Sequence, residues 1–127
     1  MPHVAPWFRG ISMTVSAELA HSVARSDILD AFGAYYDGEQ MVKITSDIPL
    51  VRDNVGLPHA SIGGFALAED CRRLVLNSSL DNLLKGAASQ ALQNLNLMAG
   101  YEELEGLLRS PDLNEPIITS TSPTASK

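Results

Sequence analysis

Cysteine is almost absent from this chain. Its 127 residues include one, Cys71, so no internal disulfide can form and no cysteine-rich metal site exists. Positive charge is also short. Nine Lys and Arg face fifteen Asp and Glu, a formal net charge of −6. That balance argues against a nucleic-acid partner, whose phosphates require a basic face. No apolar run approaches the ~20 residues needed to cross a bilayer, so no membrane association is expected. Met1 leads straight into Pro-His-Val rather than into a basic and then apolar leader, so no secretory signal is expected either. The histidines His3, His21 and His59 are scattered, which leaves no metal-ligand spacing. A phosphate loop of the G-x-x-x-x-G-K type is missing, as is any Ser-His-Asp constellation. What remains is 45% hydrophobic and 19% charged, ordinary for one soluble domain with a moderate core.

The hydrophobic pattern predicts an α+β unit with a mainly antiparallel sheet and packing helices. Residues 2–7, with Pro2 and Pro6, read as extended. From Gly10 to Leu19, Ile11, Met13, Val15 and Ala17 alternate with Ser12, Thr14, Ser16 and Glu18, a strand with one packed and one polar face. Ser26 is placed to cap a helix running to about Asp37, which buries Ile28, Leu29, Phe32, Tyr35 and Tyr36 and ends at Gly38. Met41–Thr45 forms a short strand, and 49–58 reads as loop. His59–Leu67 and Arg72–Leu76 make two strands joined as a hairpin, with Gly63-Gly64 marking a bulge or a close approach. Cys71 sits in the connection and lacks the surroundings of a nucleophile. Tyr101–Leu108 adds a helical turn. From 109 to 127 the prolines, serines and threonines predict a disordered tail, so the folded unit is 1–108.

Residues 81–98 are the most informative block. Asp81 is suited to cap the helix that follows, accepting free backbone N–H groups at the positive end of the dipole. Asn82 and Lys85 project from the first turn. Gly86, Ala87, Ala88 and Ala91 leave a flat flank that another backbone or a ring can approach. Leu84, Ala88, Ala91, Leu92, Leu95 and Met98 recur at helical spacing and predict the buried face. On these residues alone, a packing helix and a ligand-facing helix both remain open.

Five blocks in order extend the reading: Pro2–Ile11 (PHVAPWFRGI), Tyr35–Glu39 (YYDGE), Asp47–Asp53 (DIPLVRD), Ser61–Phe65 (SIGGF) and Asp81–Met98. Together they resemble the C-terminal part of the N-acetyl-gamma-glutamyl-phosphate reductase family, and more narrowly the reductase half of its fungal bifunctional branch. The resemblance implies part of the catalytic and dimerisation domain of a semialdehyde-dehydrogenase-like fold, with helix 82–98 returning toward a dinucleotide domain. It implies a homo-oligomer, a mitochondrial setting and NADP as cofactor, with N-acetyl-glutamyl phosphate as the parent's substrate. In that chemistry a cysteine thiolate expels phosphate, and hydride then reduces the thioester to the semialdehyde.

By the same resemblance, Asn82 would orient the nicotinamide carboxamide, Lys85 would neutralise a phosphate, and Gly86 would let the backbone approach the cofactor. Arg9 would hold a substrate carboxylate or phosphate, or else anchor the strand by an ion pair. His3 is a substrate-side or structural residue. The family's Gly-Cys-Tyr nucleophile, glycine-rich fingerprint and His-x-His-x-Pro-Glu segment do not occur in these 127 residues. The expectation is therefore no catalytic residue here and no activity alone. The chain is either a portion of a reductase that needs its N-terminal part or a dimerisation module that pairs with an intact subunit.

Overall fold

A computed structural model describes residues 1–108, so the expected disordered tail lies outside the described residues. In chain order the elements are β1 (Pro2–His3), β2 (Ile11–Glu18), α1 (Arg25–Tyr35), β3 (Val42–Ile44), α2 (Val51–Asn54), β4 (Ala60–Leu67) and β5 (Arg73–Leu80). A π-helical turn (Leu84–Ala88) and α3 (Ser89–Ala99) follow. The strands form one sheet in the order β1-β2-β5-β4-β3. Every neighbouring pair is antiparallel except β3 with β4. The α+β class, the mainly antiparallel sheet and the β4–β5 hairpin agree with the sequence pattern.

Phe65, Leu74 and Leu76 form the core on one sheet face, and Val15, Ile62 and Leu67 pack around them. Ile28, Leu29 and Phe32 of α1 close this face, with the Phe32 and Phe65 rings 4.9 Å apart. Each such side chain contributes about 1.5–3 kcal/mol when fully buried. Arg25 ties α1 to the bulged strand, its Nε donating to the Phe65 carbonyl at 2.8 Å. The opposite face is polar. There Asn54 is buried and donates to the Ser79 hydroxyl at 2.6 Å, while its Oδ1 accepts from Ser61 at 2.7 Å.

Several local expectations are corrected. Ser26 does not cap α1. The helix starts at Arg25, and the Asp27 carboxylate accepts the Ala24 N–H at 3.1 Å, which makes a hydroxyl at position 26 unnecessary. Tyr35 is exposed rather than buried. The 49–58 loop contains the helical turn α2, which Asn54 holds to the sheet. Strand β5 runs on to Leu80, because Asn77 and Ser79 lie on the polar face while the ladder with β2 continues. Ile11 and Met13 share the face of Leu76 and Leu80, yet α1 does not cover them, and they are 41% and 37% exposed.

The largest difference concerns α3. Its buried residues are Ser89, Gln93 and Asn96, whereas Leu95 and Met98 are 57% and 86% exposed. The π-helical turn widens the helix just before α3 and so rotates its faces relative to a continuous α-helix.

Gly63 and Gly64 mark the register shift in β4. A Cβ on Gly63 would lie 2.3 Å from the Asp47 carbonyl and 2.6 Å from that of Thr45, both backbone atoms. Gly63→Ala should therefore lower stability by about 1–3 kcal/mol through overpacking, read as a drop in Tm. An unchanged Tm would show that 45–48 does not cross the strand this closely.

Candidate functional site

Strands β2 and β5 end side by side at the Ile11–Leu80 pair, and the chain just outside this pair builds the site. Arg9-Gly10 stays against Asp81-Asn82. Gly10 has φ +113, and a Cβ there would sit 2.3 Å from Val51 Cγ1, so only glycine fits. The Trp7 indole N–H donates to the Gly10 carbonyl at 3.0 Å and fixes the approach.

Asp81 has no exposed surface. Its Oδ2 accepts from the Arg9 guanidinium and from the Gly56 N–H, the latter at 2.7 Å. Its Oδ1 accepts the Leu83 and Leu84 N–H groups at 2.9 and 3.2 Å, the expected capping role. Burial alone would raise this carboxyl. The Gly56, Leu83, Arg9 and Leu84 donors outweigh it and hold Asp81 below its ordinary value. Arg9 Nε is buried and has no partner among the described residues.

Asn82 is half-buried, and its Oδ1 accepts the Gly10 N–H at 2.7 Å. Lys85 is directed elsewhere. Its Nζ donates to Gln93 at 2.9 Å, and burial lowers its pKa against the attraction of Glu103 and Glu39. Gly86 packs on Leu80: a Cβ there would meet Leu80 Cδ1 at 3.3 Å. His3 lies on the polar sheet face, with Nε2 2.7 Å from the Thr14 hydroxyl, which donates to Asn77 at 2.8 Å. The structure thus joins Arg9, Asp81 and Asn82 in one cluster and places Lys85 and His3 apart from it. Cys71 stands in the hairpin turn with φ +54. Sequence reasoning missed the N–H groups of Gly10 and Gly56, because backbone donors carry no side-chain signal.

Two hollows flank the cluster. A groove of about 480 Å³ runs between Trp7, Phe8 and Arg9 and the segment Ile48–Val55. A cavity of about 690 Å³ lies beyond Gly56, between His59 and the residues Leu84, Ser89 and Leu92. His59 has its pKa lowered by burial and by the nearby Lys43. Among the described residues no group of His, Cys, Asp and Glu has the geometry to hold a metal ion.

Residues 1–82 match the model of the semialdehyde dehydrogenase dimerisation domain. The chain belongs to that family. An N-acetyl-gamma-glutamyl-phosphate reductase of Stenotrophomonas maltophilia is 46% identical over 107 residues, which are 84% of this chain and 34% of that protein. A mitochondrial protein of Neurospora crassa is 47% identical over 107 residues, 84% of this chain and 12% of its own length. A probable aspartate-semialdehyde dehydrogenase from Pseudomonas aeruginosa superposes with a TM-score of 0.64 at 27% identity, over 75% of this chain and 28% of that one. The chain therefore spans about a third or less of the relatives it matches.

Asp81 gives a pH-dependent prediction. A carboxyl held low in the folded state stabilises above its unfolded pKa of about 4, and that stability is lost as pH falls through the folded value. Arg9→Met should cost about 2 kcal/mol at neutral pH by leaving Asp81 buried with one donor fewer. The gap from the unsubstituted chain should hold down to about pH 5 and narrow below it. Urea melts at several pH values would read this. A gap independent of pH down to the acid limit would show that Arg9 does not act through the Asp81 charge.

Proposed function

We propose that this chain is the pairing module of an acyl-phosphate reductase, non-catalytic by itself, which joins a copy of itself or an intact reductase subunit. The observation that carries this is the uncovered apolar end of the sheet. Ile11 and Met13 continue the core face beyond α1, and both are exposed. Apolar side chains left open beside a core mark an interface. The membership in a dimerisation-domain family supports the same reading.

A second reading concerns what the module brings to its parent, and the fixed Asn82 carboxamide favours it. In this reading the parent reduces N-acetyl-glutamyl phosphate with NADP as cofactor, in mitochondria for a parent of the fungal type. The cofactor, where bound, supplies the hydride. Asn82 orients its ring, while Gly86, whose missing side chain makes room for Leu80, fits the cofactor-approach role less well. Arg9 lines the neighbouring groove, where it would meet the substrate's anionic groups; His3, held to Thr14 on the polar sheet face, fits a substrate role less well. Lys85, drawn to Gln93, fits a phosphate role less well than Asn82 fits an orienting one. Helix α3 turns Leu95, Leu97 and Met98 outward, available to the dinucleotide domain.

In size-exclusion chromatography with light scattering, the chain should run as a dimer, and Met13→Asp should convert it to a monomer. Met98→Asp on α3 should leave the dimer intact. A monomeric chain that also fails to associate with an intact reductase subunit would end the pairing reading. The purified chain should not oxidise NADPH in the presence of the acyl phosphate. Oxidation above background with phosphate release would overturn the non-catalytic assignment.

A further inference from the structure

We infer that helix α3 has two registers one residue apart, and that Gln93 and Asn96 select the one observed. Their contacts with residues 101–108 turn Leu95 outward; in the other register Leu95 takes an inner place. Which side of the helix this domain offers to a neighbour is thus decided by polar contacts on the opposite side.

The apolar spacing that marks a buried face includes Ala88, Leu92 and Leu95, at intervals of four and three. The residues actually buried, Ser89, Gln93 and Asn96, repeat those intervals one residue later. A single π-helical turn produces this offset, because it gives one turn of the helix an extra residue. The backbone shows the turn directly. Gly86 N–H donates to the Asp81 carbonyl and Ala88 N–H to the Leu83 carbonyl, both at 3.0 Å. The Ser89 N–H donates to the Leu84 carbonyl, and all three bonds span five residues. If they shifted to the α pattern, α3 would turn by about 100° and move by about 1.5 Å along its axis. Ala88, Leu92 and Leu95 would then occupy the places of Ser89, Gln93 and Asn96.

The start of the helix accepts either winding. Asp81 caps the Leu83 and Leu84 N–H groups at its head, so the cap serves both registers. Gly86, Ala87 and Ala88 carry at most a methyl group, so the turn can rewind with little side-chain displacement. The choice therefore falls to the faces of α3. Burial of Leu95 favours the α register. Satisfied polar groups favour the observed one, in which Gln93 accepts from Lys85 and donates to Glu103. Asn96 Nδ2 donates to the Glu103 and Glu105 carbonyls, each at 3.0 Å. Gln93 and Asn96 are positioning residues, acting on Leu95 through the helix they share.

The test uses the full 127-residue chain labelled with ¹³C and ¹⁵N. Scalar couplings across hydrogen bonds, read by NMR, identify the carbonyl that each N–H meets. In the unsubstituted chain Ala88 N–H should couple to Leu83. The double variant Gln93→Glu, Asn96→Asp keeps both side-chain shapes but sets acceptors against the Glu103 carboxylate and the 103 and 105 carbonyls. Its Ala88 coupling should move to Leu84, and its Leu95 methyls should become shielded from a soluble paramagnetic probe. Retention of the Leu83 coupling, or loss of helical couplings across 89–99, would overturn the inference, since only one register would then be stable.

A second variant deletes Ala87 and leaves both polar residues in place. Its helix should be α-helical throughout, with Leu95 still open to the probe. A π-helical turn that persists after the deletion, or a shielded Leu95, would show that 84–88 holds no extra residue and would equally overturn the inference.

Discussion

A carboxylate without solvent exposure persists as a charge only where donors surround it, and Asp81 imposes that condition on the chain. Its donors come from three distant places: Arg9 before β2, Gly56 after α2, and Leu83 and Leu84 at the head of the last helix. Neither the loop nor the strand lead-in can drift without stripping a donor from a buried charge, which costs several kcal/mol if the charge is left alone. The start of the sheet, the floor of the groove beside Trp7 and the direction of the π-helical turn are all fixed by this one requirement.

Polar satisfaction governs this end of the domain more widely. Asn54 does in neutral form what Asp81 does with a charge, joining α2 to β4 and β5 through Ser61 and Ser79. Under α1 the interior is apolar and tolerant of volume-conserving change. At the Asn54 and Asp81 end, the buried polar groups other than Arg9 Nε have named partners at hydrogen-bond distance, an arrangement that specifies geometry sharply. The half-buried Gly10–Asn82 bond belongs to the same polar set.

The period-two alternation in 10–19, the glycines at 63–64 and the capping position of Asp81 were legible because each depends on residues close in sequence. The α2 turn was not, because it is held by Asn54 meeting residues 61 and 79, and nothing local to 49–58 announces that. The length of β5 was misread for a related reason: Asn77 to Ser79 look like turn residues until β2 is known to run beside them. At the site, Asn82 stood out in the sequence as a residue type suited to ligand contact. The direction of its carboxamide depends on a backbone group 72 residues earlier, which no side-chain pattern records. The Arg9 ion pair was foreseeable as one alternative, but its partner was not.

Helix α3 shows how these constraints decide between competing faces. Burying Leu95 and Met98 would contribute about 1.5–3 kcal/mol each. The opposite face carries Gln93 and Asn96, and this is the face turned to the segment 101–108. There Gln93 bonds Lys85 and Glu103, and Asn96 donates to the carbonyls of Glu103 and Glu105 at 3.0 Å. With these polar groups satisfied, their burial no longer carries the penalty that would otherwise exclude it. The leucines and methionine on the outer side are then left with nothing to cover them within the described residues. A sequence selected to fold alone would avoid that conflict between local pattern and global packing. A sequence selected to fold beside further chain, as the relatives' greater length allows, can leave those side chains for the neighbour to bury. The orientation of α3 therefore supports reading this domain as one part of a larger body. Its polar contacts set the helix in place, and its apolar side remains uncovered among the described residues.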